Sequence, residues 1–107
     1  MIVSFKKNVT ILEHYGKEHQ KLKTLEELAE LQEAILHDIN KGKPFGILGE
    51  LADVYIMLDQ LQLIYEIDPD DLNAAIEYKQ DRQLGRIRDE LKPDCAWAPG
   101  SGEEREP

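Results

Sequence analysis

Apolar residues return every three or four positions along most of this chain, a spacing that predicts helices separated by short breaks. Asn8 or Thr10 is suited to cap a short first helix ending at Tyr15, where Gly16 interrupts the pattern, and Ile2 to Phe5 reads as a short extended start. A second helix is expected from Glu18 to His37 or Asn40. Its core-facing stripe reads Leu22, Leu25, Leu28, Ala29, Gln32, Ile35, Leu36 and Ile39. The break from Asn40 to Pro44 leads into a third helix, Phe45 to Ile67, that is apolar on nearly every side. Ile47, Leu51, Val54, Leu58 and Leu61 share one flank; Met57 and Ile64 share another with Glu50 and Asp53. Such a helix belongs at the centre of a bundle or in an oligomer interface. The run Asp68, Pro69, Asp70, Asp71 starts a fourth helix: Asp68 caps, Pro69 suits the first helical position, and the following acids favour the positive helix end. It continues to about Leu91, and Pro93 stops it.

These elements predict an all-α bundle of about four helices over residues 1–92, one domain, with a disordered tail at 93–107 that carries Cys95 and Trp97. No stretch approaches the roughly 18 apolar residues of a membrane span, and MIVSFKK lacks the apolar centre of a signal peptide, so a cytoplasmic protein with no membrane partner is expected. Cys95 is the sole cysteine, which excludes an internal disulfide or a cysteine-based zinc site in this chain. The net charge of -9 argues against nucleic acid as a partner, because that binding draws on Lys and Arg. Neither a phosphate-cradling glycine loop nor a GxSxG nucleophile elbow occurs.

Two acidic doublets change the picture. Glu27/Glu30 and Glu50/Asp53 are each spaced i,i+3, so each pair shares a helix face. Glu50 and Asp53 are the only charges in ILGELADVYIML. Burying like charges is costly unless a cation compensates them, and with no lysine inside either segment the expected partner is a divalent metal. Chance alone yields about four acidic i,i+3 pairs at this composition, so the argument rests on the apolar setting rather than on the spacing. Glu26 and Glu33 fall nearer the expected solvent side. None of His14, His19 and His37 stands three residues after a Glu, which removes a di-iron ExxH bundle. Tyr55, Tyr65 and Tyr78 could stack on a base, though tyrosines at this spacing more often pack.

Glu26-Glu27-Leu28-Ala29-Glu30 followed by Glu50-Leu51-Ala52-Asp53 resembles the EExxE…ExxD signature of the MazG-like all-α nucleoside triphosphate pyrophosphatases, and the likeness extends from about His14 to Ile87. The resemblance implies helices intertwined in a homo-oligomer, dimer or tetramer, that binds Mg²⁺, with Mn²⁺ as the alternative, and hydrolyses NTPs or dNTPs to the monophosphate and pyrophosphate. It places the metal ligands on Glu27, Glu30, Glu50 and Asp53, and the water-activating base on Glu26 or Glu30. It places substrate phosphates near Lys79 and Arg82, with Lys23 and Gln20 behind them. The competing readings are a catalytically silent helical dimerisation module and a phosphoribosyl-ATP pyrophosphatase-like enzyme.

Overall fold

The computed structural model describes residues 2–91, and every regular element among them is helical: α1 (Phe5–Tyr15), α2 (Lys17–Lys41), α3 (Ile47–Ile64) and α4 (Pro69–Glu90). The all-α architecture is as the periodicity predicts. The expected tail, with Cys95 and Trp97, lies outside the described residues. No described helix is long and apolar enough to cross a membrane.

The chain divides into two compact units, Met1–Ile67 and Asp68–Pro107. In the first, α2 and α3 form the most extensive packing and α1 lies against both. Gly16, with φ 90°, joins α1 to α2 in a backbone conformation that strains any residue with a Cβ, and Gly42 in the left-handed region ends α2 by returning its N–H to the Asp38 carbonyl. Gln20 of α2 meets Gln60 of α3, while Glu27 meets Glu50 and Asp53. Rising numbers on one helix therefore match falling numbers on the other, and α2 and α3 are antiparallel.

The buried face of α2 differs from the expected one. Gln20, Thr24, Glu27 and Ala34 are buried, whereas the leucine stripe lies outward, with Leu22 70% and Ile39 69% exposed. The polar face turns inward with its bonding groups satisfied: the Gln20 amide meets Gln60 of α3, and the Thr24 hydroxyl donates to the Gln20 carbonyl of its own helix. On α3 the buried positions are Val54, Met57, Gln60 and Ile64; Leu51 and Leu58 of the expected core flank are exposed. Thus α3 buries the flank beside its acids. The helix also starts later and ends earlier than its pattern, because Gly46 at φ 71° precedes it and Tyr65 closes it. The first helix begins earlier than expected. Ser4 caps it through a bond from the Lys7 N–H, so Phe5 is helical rather than extended, and Asn8 lies inside.

In the second unit, α4 starts as expected, with Asp68 Oδ1 accepting from the Asp70 N–H at 2.7 Å and Pro69 at the first turn. Leu72, Ile76, Leu84 and Ile87 of this helix are exposed.

Candidate metal centre

The antiparallel pairing of α2 and α3 brings the two doublets together. Carboxylate oxygens of Glu27, Glu50 and Asp53 lie within 4.8 Å of one another, and so do those of Glu26, Glu27 and Glu30. Glu27 belongs to both groups. Its side chain is 8% exposed, and its Oε1 atom is buried with no hydrogen-bond partner. A buried carboxylate oxygen without a donor costs free energy unless a cation supplies the missing charge. Glu50 and Glu30 are half-buried, and Glu26 and Asp53 are exposed. The neighbouring Glu27 carboxylate raises the pKa of Glu30 above the ordinary value, with desolvation, Glu50 and Glu26 adding in the same direction.

One expectation is corrected here. The acids do have a lysine: Lys23 Nζ lies 2.7 Å from Glu26 Oε1 and 3.0 Å from Glu27 Oε2. It stands just before the doublet on the same helix, at i+3 and i+4, the two spacings that bring helical side chains together. Its ammonium is held above the usual lysine range by Glu26 first and then Glu27, and Lys23 in turn draws the Glu26 carboxyl below its ordinary value.

The carboxylate-only donor set suits a hard divalent cation such as Mg²⁺ or Mn²⁺. Beside it opens a cleft of about 650 Å³, lined by Ile11, Tyr15, His19 and Met57, with Lys23 and Glu26 on the side of the acids. Tyr15 and His19 stack with ring centroids 4.9 Å apart. This volume falls within the range of small-molecule sites, roughly 300–1,000 Å³.

A chain of buried amides underlies the cleft. His19 Nδ1 is 2.7 Å from Gln20 Oε1, Gln20 Nε2 donates to Gln60 Oε1 at 2.7 Å, and Gln60 Nε2 donates to Asn8 Oδ1 at 3.0 Å. Asn8 Nδ2 then donates to the Asp59 carboxylate at 2.8 Å and to the Ile56 carbonyl at 3.1 Å. Every bond runs in one direction and ends on a charge, an arrangement in which each bond polarises the next. The Gln20 oxygen can only accept, so His19 donates from Nδ1. Gln20, expected on the substrate phosphates, is buried with both ends of its amide engaged, and it ties α2 to α3. Asn8, Gln60 and Tyr15 carried no such expectation. A glutamine amid the apolar residues of IMLDQLQLI was the available signal for Gln60.

Lys79 and Arg82 stand on α4, in the second unit. The Arg82 guanidinium lies 5.6 Å from the Tyr78 ring centroid. Tyr55 and Tyr65 are exposed on and after α3, and Lys21 Nζ lies 5.2 Å from the Tyr65 ring.

Comparison with family models, with curated proteins and with solved structures finds no match for this chain.

Proposed function

We propose that the protein is a Mg²⁺-dependent nucleoside triphosphate pyrophosphohydrolase of the MazG-like type, acting on cytosolic nucleotides. The observation that carries this reading is Glu27, buried with an oxygen that has no donor and set against Glu50 and Asp53 from the facing helix. Glu27, Glu50 and Asp53 would hold the cation, with Glu30 beside them, and such an ion would supply charge neutralisation on the phosphate chain and a more acidic bound water. Glu26 and Glu30, beside the three ligands, are the candidate bases for the water's proton. The cleft next to Lys23 and Glu26 accommodates the nucleoside, with Tyr15 and His19 offering stacked rings.

The outward leucines of α2 favour a homo-oligomer, since an apolar stripe of this length seldom stays in water. The same stripe favours the second reading, a dimerisation module without catalysis. Release of pyrophosphate from a panel of the eight common nucleotides, with and without Mg²⁺, separates the two. No release from any of them, and none from phosphoribosyl-ATP, refutes the enzymatic reading; activity confined to phosphoribosyl-ATP redirects it to histidine synthesis.

A further inference from the structure

Glu27 is asked for twice. It is the one acid common to both carboxylate groups, and Lys23 already reaches its Oε2 at 3.0 Å while holding Glu26 Oε1 at 2.7 Å. The pair is lopsided: the Glu27 side chain is 8% exposed and that of Lys23 is 43% exposed. The carboxylate is thus fixed by its surroundings, and the ammonium sits on a flexible stem with room to turn. Lys23 and Glu26 also line the cleft beside the acids. We propose that Lys23 is a resident counter-ion of the acid cluster, displaced from Glu27 when a divalent cation takes that carboxylate and thereby released to an anionic, phosphate-bearing ligand in the cleft.

The argument is electrostatic. A single positive charge on Glu26 and Glu27 offsets part of the repulsion among the acids in the metal-free protein, which otherwise leaves Glu27 as a buried charge with no counter-charge. A divalent ion on the same carboxylate carries twice the charge and repels the ammonium from close range. Once Lys23 leaves Glu27, its ammonium keeps Glu26 and turns to the cleft that both residues line, where an anionic ligand can take the place that Glu27 held. The device imposes an order. Without the cation, Lys23 is occupied and the cleft faces a surplus of carboxylates; with it, the same lysine favours phosphate.

This inference rests on the acid cluster being a cation site, and the test separates the two. Calorimetric titration of the full chain with Mg²⁺, without nucleotide, is compared for the wild type and Lys23→Met, a substitution of similar length without charge. Removal of the competitor is expected to tighten Mg²⁺ binding about threefold, the scale of a partly exposed ion pair. With Mg²⁺ saturating, binding of imidodiphosphate is expected to weaken about tenfold in the variant, the scale of one charge-assisted contact. In the wild type, the nitrogen-15 NMR signal of the Lys23 ammonium is expected to shift and to exchange faster with water on addition of Mg²⁺, as one of its two carboxylate partners is taken, a readout that needs no variant. Unchanged or weaker Mg²⁺ binding by Lys23→Met, or an ammonium signal that Mg²⁺ leaves unchanged, overturns the role of Lys23 and leaves the cation site standing. No Mg²⁺ binding by the wild type overturns both.

Discussion

Replacing Gln60 by leucine removes the middle of the buried amide chain at nearly constant volume. Gln60 is 0% exposed, so water cannot step in. Two groups lose their partners: Gln20 Nε2, which donated at 2.7 Å, and Asn8 Oδ1, which accepted at 3.0 Å. An orphaned buried polar group costs about 1–3 kcal/mol, so the single change should destabilise by about 2–6 kcal/mol. For a domain of this size each 1 kcal/mol moves the melting temperature by about 4–8 °C, and a loss of about 8 °C or more is expected. Removing the partners as well should recover part of the damage, because Gln20 Nε2 and Asn8 Oδ1 are then gone, although Asp59, the Ile56 carbonyl and His19 lose the bonds that Asn8 and Gln20 gave them. The assay is urea and thermal denaturation of Gln60→Leu, of Asn8→Leu with Gln20→Leu, and of the triple variant, analysed as a thermodynamic cycle. The reasoning fails if Gln60→Leu costs less than about 0.5 kcal/mol, the ordinary size of a surface substitution. It also fails if the three changes simply add, since coupling is what the chain of bonds predicts.

Asp53→Asn keeps shape and removes one charge from the acid group; the metal-free protein should hold or gain stability while Mg²⁺ affinity and turnover drop by orders of magnitude, and a clear loss of metal-free stability would make Asp53 structural. The raised pKa of Glu30 means that the folded state holds its proton more tightly than the unfolded chain. Its contribution is therefore complete below the ordinary carboxylate value and lost as pH rises through the raised one. Metal-free melts across that window should show a smaller loss with rising pH in Glu30→Gln than in the wild type; identical profiles would contradict the like-charge account. Leu25, 64% exposed, tests the outward stripe of α2: Leu25→Lys should convert an oligomer into smaller species in sedimentation at low micromolar concentration, and a wild-type monomer would refute the association.

What could be read from the sequence was what local chemistry decides. Asp68 and Pro69 start α4 because a cap and a fixed φ act within one turn, and the acid doublets stand out because each puts two carboxylates on one helix face in an apolar setting. The inward face of α2 could not be read. Periodicity says that a helix has sides, not which neighbour each side meets, and the leucine stripe is apolar whether it meets α3 or something else. The amide chain was hidden for a related reason: Gln60 finds Gln20 and Asn8 across 40 and 52 residues of sequence, and each amide taken alone looks like a surface residue. Lys23 was misjudged by one turn, because a search within the doublet overlooks the i+4 neighbour before it.

The acid cluster is written in helical phase rather than in chain length. Its two halves meet because α2 and α3 run in opposite directions, and the segment between them, from Gly42 to Gly46, only reverses the chain. Residues added to that turn lengthen the sequence between Glu30 and Glu50 without rotating either doublet. One residue inserted into α2 between Lys23 and Glu30 turns everything after it by about 100° and shifts it by about 1.5 Å, enough to send part of the cluster to another face. Length variation should therefore be tolerated in the turn and rejected inside the helices. A search for related chains should weigh the register within each helix heavily and the distance between the two halves hardly at all.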